Sequence, residues 1–300
     1  MKICLITSAD QRYTPLLREL LASIHAHPQA GRTFAGIGII DAGLAPETRR
    51  ELQQGGCLVA DGIWPVELSE KRIGGREFLK ACVSRPFIPQ LFPGFDMYIW
   101  LDADTWVQDW SAIDLLIAGA MKSGLAVVPQ VDRAYGKTMR LGWLGPLPFR
   151  PRSFYYSNAR KCFGGKIARK LFPFPTINAG VFAMRADAPH WGRWQDLIRQ
   201  ALSKPRANIF TAEQLTMGML IYLEGYTAER LPSLCNWLAD TKPLFDPVQG
   251  RFIEPYLPHQ PIGIIHLSGY DSMRVDPGVT TDIKCLDGTV QPMSLRFLAA

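Results

Sequence analysis

GFDMYIWLDADTWVQ, residues 94 to 108, sets five consecutive apolar side chains, Met97 to Leu101, directly before a D-x-D triplet. An uninterrupted run with aromatic and β-branched members predicts a strand buried on both faces of a parallel sheet. Residues two apart in an extended chain project to the same side, so the carboxylates of Asp102 and Asp104 can converge on one point. The crevice beyond strand carboxyl ends is where open α/β sheets take ligands, and paired carboxylates there suit a divalent cation. A D-x-D pair alone says little: with 17 aspartates in 300 residues, about one is expected by chance. The buried strand in front of it singles this one out.

Outward from this stretch, strands and helices alternate. Ile3 to Thr7, Ile37 to Ile40 and Cys57 to Ala60 read as strands, and Tyr13 to Ile24 and Pro46 to Gln54 as helices, the latter with proline in its first turn. That alternation predicts an α/β fold with a parallel, doubly wound sheet and right-handed crossovers. Gly74 to Leu91 reads as helical through Ser84 and broken near Pro86 and Pro89. Ser111, with Asp114 three residues on, is a candidate cap for a helix that leads to a strand at Leu125 to Val128.

Further along, Thr176 to Met184 reads as an Asn-Ala-Gly turn entering an apolar strand, where small residues let a ligand or another backbone come close. Trp191 to Leu202 and Thr211 to Leu223 read as helices. Thr211 is a candidate cap, and Glu213 and Gln214 fall in a first turn whose free N–H groups can face a sugar or phosphate. Ile262 to Leu267 is an apolar strand carrying His266. A lone histidine on such a strand is more often a core residue than a ligand, although imidazole readily joins carboxylates on manganese.

Composition is that of a globular chain, 47% apolar and 20% charged, with no sign of disorder or a fibrous repeat. The net charge of +6 favours anionic partners. Between Arg133 and Arg185 there is no acidic residue, while eleven lysines and arginines alternate with aromatics. Such a segment could be a solvated insertion, a grip on a phosphorylated or lipid-linked acceptor, or a contact with an anionic membrane. Nucleic acid is disfavoured because no recognised binding motif accompanies the charge. Six scattered cysteines without metal-ligand spacing read as buried free thiols of a reduced compartment. The apolar core of the amino terminus is too short for a signal peptide, and no apolar run approaches 18 residues. A cytoplasmic location, with peripheral contact at the inner face of the membrane left open, is the expectation.

SADQRY (8 to 13), DAD (102 to 104), INAG (177 to 180), EQ (213 and 214), LCNW (234 to 237) and IIHLSG (264 to 269) follow one another in an order that resembles glycosyltransferase family 8. That resemblance implies a single GT-A domain over 1–275, Rossmann-like, with a mixed but mostly parallel sheet flanked by helices. A basic aromatic insertion spans 133–175, and a tail covers 276–300. It implies a retaining transfer from a nucleoside-diphosphate sugar, UDP-sugar by preference, to a carbohydrate, lipid-linked or protein acceptor. It makes Asp102, Asp104 and His266 the ligands of Mn2+, with Mg2+ the alternative.

The same resemblance sets Ser8, Asp10 and Tyr13 at the nucleotide base, Arg85 or Lys80 at the donor, and Asn178, Glu213 and Gln214 near the reacting carbon. Ala103, Asn236 and Gly269 would line the same cleft, with Trp106, Trp237 and the insertion as candidates for excluding water. Where the family carries lysine six residues after the histidine, this chain has Ser272, and Arg274 is the nearest basic residue. Two other readings remain open from the residues alone. One is a D-x-D phosphatase, although Trp106 stands where that pattern wants Thr or Val. The other is a GT-A chain that binds nucleotide with little or no transfer.

Overall fold

The computed structural model describes residues 1–136 and 139–298; Lys137 of the basic segment lies outside them, as do the last two residues of the tail. In chain order the first strands are β1 (Ile3–Ala9), β2 (Phe34–Asp41), β3 (Leu58–Asp61), β4 (Met97–Leu101), β5 (Thr105–Val107) and β6 (Leu125–Pro129). They are followed by β7 (Met139–Leu144), β8 (Leu147–Ser153), β9 (Ile177–Arg185), β10 (Glu229–Arg230) and β11 (Trp237–Leu238). Seven of these form the central sheet in the order β10-β6-β9-β4-β1-β2-β3. β9 runs antiparallel to both its neighbours, and the other pairings are parallel. The sheet is therefore mixed but mostly parallel, as expected.

β4 is buried along its whole length because apolar layers cover both faces of the sheet. Met97, Ile99 and Leu101 pack with Leu5, Ile113, Leu116 and Val181 on one side. Tyr98 and Trp100 pack with Ile6, Phe182, Met184 and Trp191 on the other. That two-sided burial is what a continuous apolar run encodes. It delivers Asp102 to the sheet's carboxyl edge, the first point where a carboxylate can meet solvent or ligand.

A second sheet completes the edge. β12 (Leu244–Asp246) and β13 (Arg251–Ile253) form a hairpin that leads to β14 (Ile264–His266), which pairs antiparallel with β5 and parallel with β11. The register sets His266 opposite Thr105, and Leu267 N–H donates to Asp104 O at 2.9 Å. The last hairpin, β15 (Thr281–Lys284) with β16 (Val290–Met293), belongs to the segment expected as a tail. Ile283 and Leu295 are buried with Trp106 and Trp237, and Arg296 is buried on Glu19. Ile283, Cys285, Leu295 and Arg296 thus anchor this segment beside the second sheet, while most of its other residues are exposed.

Several local expectations change. Asn178, Ala179 and Gly180 form no turn but lie inside β9, where a register irregularity against β6 falls between Val127 and Val128. The Gly74 to Leu91 segment becomes helical only at Glu77 and runs as short 3-10 and α segments, Glu77–Leu79, Lys80–Val83, Arg85–Phe87 and Ile88–Leu91; the interruption after Val83 falls where Pro86 lacks the donor a continuous helix needs, as expected. Ser111 does not cap its helix: its N–H and hydroxyl both donate to Asp109 Oδ1, at 3.0 and 2.6 Å. Thr211 caps nothing either, its hydroxyl meeting Asn158 Oδ1 instead. Trp106 and Trp237 are core residues and do not cover the cleft.

His190 begins the helix His190–Leu202 and is buried; Nε2 meets Thr227 O at 2.7 Å, and Nδ1 has no partner. Burial lowers its pKa below the ordinary 6.5. The folded state then holds fewer protons than the unfolded chain once pH falls below that value, so stability drops on acidification. His190→Gln is expected to flatten the slope of unfolding free energy between about pH 6.5 and 5. Urea titrations across that range, wild type against variant, measure it, and parallel slopes would contradict the assignment.

Candidate metal centre

The turn between β4 and β5 is fastened by Thr105, whose N–H and hydroxyl both donate to Asp102 O at 2.9 and 2.7 Å. It presents both acids toward β14. One ligand atom each from Asp102, Asp104 and His266 lies within 4.8 Å of the other two. His266 Nε2 stands 3.4 Å from Asp104 Oδ1 and 3.9 Å from Asp102 Oδ2. The other ring nitrogen, Nδ1, lies 2.9 Å from Asn236 Oδ1. A carbonyl oxygen only accepts, so Nδ1 is the donor and Nε2 turns to the carboxylates.

Each carboxylate is held by one oxygen and left open at the other. Asp102 Oδ1 accepts from Arg85 Nη2 at 2.6 Å and from Trp100 Nε1 at 2.8 Å, while Oδ2 faces the imidazole. Asp104 Oδ2 pairs with Arg274 Nε at 3.0 Å, while Oδ1 faces the imidazole. Two arginines therefore orient the two acids without occupying the oxygens that converge. Burial opposes charge on His266, but Asp104 and then Asp102 outweigh it and raise its pKa. Burial likewise opposes charge on Asp104, yet His266 and then Arg274 bring it below the ordinary carboxylate value. The pocket stabilises positive charge between the acids, whether from a proton or a cation.

The donor set fits a divalent ion: two anionic oxygens, one imidazole nitrogen and an imidazole anchored from behind. The space also fits. A Cβ on Gly180 would come within 2.5 Å of His266 Cε1, 2.6 Å of Asp102 Oδ2 and 2.7 Å of Asn178 Oδ1. Only glycine lets β9 pass this close behind the cluster. Asn236 Nδ2 is buried with no partner.

Arg85 is 5% exposed. It donates to Ala179 O at 2.7 Å, lies over the Trp100 ring at 4.6 Å and stands 3.6 Å from Glu213 Oε1. Glu213 Oε2 is buried without a partner among the described residues. Burial, only partly offset by Arg85, pushes the Glu213 carboxyl up to about 7. Gln214 Oε1 accepts from Ala179 N–H at 3.4 Å, and Asn178 Oδ1 accepts from Gly180 N–H at 2.7 Å. Hence Asn178, Glu213 and Gln214 gather around one stretch of β9 beside the cluster.

At the end of β1, Tyr13 OH lies 3.4 Å from Arg274 Nη1, which links the first loop to Asp104. Asp10 Oδ1 accepts from Tyr13 N–H at 3.0 Å and so shapes that loop. Ser8 is engaged elsewhere, donating to Ile40 O at 2.7 Å. Lys80 pairs with Glu77 at 2.9 Å and lies near Trp64, making no ion pair with the cluster among the described residues. Ala103 is buried with Ala9, Leu17 and Ile39. Gly269 takes a φ of 86° against Asp240, a conformation side chains rarely adopt. Sequence reading missed the Trp100 bond to Asp102, although residues two apart on one strand share a face. It also missed the Arg274 bond to Asp104, which depends on packing between distant segments.

No family model matches the sequence, and no curated protein sequence matches it. Solved structures do match. A galactosyltransferase, LgtC, in complex with donor and acceptor sugar analogs superposes with a TM-score of 0.51 at 14% identity, over 89% of this chain and 87% of that one. Mouse xyloside xylosyltransferase 1 in its apo form gives 0.51 at 10% identity, over 90% and 98%. An active-site mutant of LgtC gives 0.51 at 15% over 89% and 87%. The chain thus has the GT-A fold of these glycosyltransferases, with its acid and histidine cluster at the carboxyl edge of the central sheet.

Proposed function

We propose that this protein is a metal-dependent glycosyltransferase that moves a sugar from a nucleoside diphosphate, UDP by preference, to an acceptor hydroxyl with retention. The observation that carries the reading is the convergence of Asp102, Asp104 and His266 on one point at the sheet edge. Mn2+ or Mg2+ held there would offset, as a Lewis acid, the negative charge that grows on the departing diphosphate.

The chain's own residues do the positioning. Arg85 and Arg274 keep the acids aimed, and Asn236 keeps His266 turned toward them. Arg274, eight residues after the histidine, brings to the cluster the positive charge absent at Ser272, and this favours an active site over a merely nucleotide-binding one. In this reading Gln214, half-buried, is the residue that contacts the sugar; Asn178 is buried and holds Gly180 N–H, and Glu213 is buried behind Arg85, so both act as supports. Tyr13, next to Arg274, would in the same reading contact the base.

Isothermal titration of UDP into the protein with Mn2+, repeated with a chelator, tests the reading. Binding that needs the metal is expected, together with slow Mn2+-dependent hydrolysis of one of UDP-glucose, UDP-galactose or their N-acetyl forms. Chelator-insensitive UDP binding, or unaltered binding by Asp104→Asn, would count against it.

A further inference from the structure

β7 and β8 form a two-stranded ribbon that, among the described residues, pairs with no other strand. Leu144 is the register partner of Leu147, so Gly145 and Pro146 make a two-residue loop, with Gly145 at a φ of 58°. Glycine first at positive φ is the arrangement tight hairpins favour. The loop carries the apolar side chains outward: Trp143 is 62% exposed, Leu144 63% and Leu147 66%. An isolated ribbon is marginal in water, and three large apolar residues at its tip add exposed surface that a solitary protein has no reason to display.

Charge narrows the chemistry of an occupant for the tip. The ribbon's strands contain Arg140, Arg150 and Arg152 and no acid, within the long stretch from Arg133 to Arg185 that also lacks one. A segment of one sign of charge attracts an anionic partner. Tryptophan and leucine in a run rich in arginine is the chemistry of an anionic bilayer surface. Indole and aliphatic groups enter the boundary between headgroups and chains, and positive charge is drawn to lipid phosphates.

The ribbon is rooted on both sides of the candidate site. Before it, the Tyr135 hydroxyl accepts from Leu238 N–H at 3.1 Å, and its ring packs edge-on against Trp237, next to the Asn236 that holds His266. After it, Ser153 caps the helix Phe154–Cys162, and the Tyr155 hydroxyl accepts from Ile177 N–H at 2.9 Å, one residue before Asn178. We infer that the β7–β8 ribbon is a membrane-docking hairpin that seats Trp143, Leu144 and Leu147 in an anionic lipid bilayer. The inference stands on the ribbon alone and does not require the transferase reading.

Flotation of the full-length protein with vesicles of phosphatidylcholine, with and without phosphatidylglycerol, tests it. Binding is expected only with the anionic lipid and is expected to weaken as salt rises. In the triple variant Trp143→Ser, Leu144→Ser, Leu147→Ser, partitioning should fall about tenfold or more with no change in melting temperature. Val248→Ser, at an exposed apolar residue outside the ribbon, should bind like wild type. Bromine-labelled lipid chains should quench tryptophan emission in wild type and not in Trp143→Phe. Wild-type partitioning of the triple variant, or failure to bind anionic vesicles, overturns the inference. So does RNA binding tighter than vesicle binding.

Discussion

Gly180→Ala is expected to weaken Mn2+-dependent UDP binding by about 100-fold, the upper end of what displaced metal-supporting groups cost. The new methyl would overlap His266 Cε1, Asp102 Oδ2 and Asn178 Oδ1 together. All three face the same side of β9, so the backbone cannot relieve one contact by moving toward another. Overpacking of this kind costs about 1–3 kcal/mol of stability, which denaturant titration reads separately from binding. Gly192, where a Cβ would meet nothing within 4 Å, supplies the control substitution. Unchanged metal-dependent binding by Gly180→Ala would show that the cleft behind β9 is not where the cation sits.

Arg85→Met should be strongly destabilising, by about 3 kcal/mol, because it strips the cation from the buried Glu213 carboxyl and from the partly buried Asp102 at once. Asp102 Oδ1 loses its 2.6 Å donor, Glu213 its nearest positive charge, and Trp100 the guanidinium over its ring. Adding Glu213→Gln should return about 1–2 kcal/mol, since the pair is directly coupled. The deficit should also depend on pH. Without Arg85 the Glu213 carboxyl rises above its present value of about 7. A carboxyl raised above its unfolded value holds more protons when folded, so stability is regained as pH falls toward the ordinary 4.5. Urea titrations at pH 8 and pH 5 should therefore show a smaller penalty at the lower pH. An equal penalty at both would separate Glu213 from Arg85.

Much of this architecture was legible along the chain. Met97 to Leu101 and Pro46 to Gln54 occupy the spans read from apolar continuity and from a first-turn proline, because both signals act within a few residues. The Asn-Ala-Gly stretch was misread as a turn for a physical reason: small residues mark close approach, and here it is side chains of other segments that approach a continuous strand. Capping was misread at Ser111 and Thr211 because Asp109 and Asn158 engage the hydroxyls. Local sequence does not show which acceptor will be nearer.

By itself, the sequence determined that Asp102 and Asp104 follow directly on a buried strand; the extended-chain expectation stops at Leu101, and it is the turn through Ala103 and Asp104, fastened by Thr105, that brings the two carboxylates together. The sequence also determined that a basic, acid-free segment interrupts the α/β order. The family resemblance names His266 as the partner of the two acids, but the tertiary structure alone shows how a residue 162 positions beyond Asp104 reaches the cluster, through the pairing of β14 with β5. It alone decided that Arg85 and Arg274 each hold one oxygen of a different acid, and that Trp143, Leu144 and Leu147 stand exposed at a ribbon tip. These are contacts between segments far apart in the chain, set by sheet register and core packing, and no local pattern of residues encodes them.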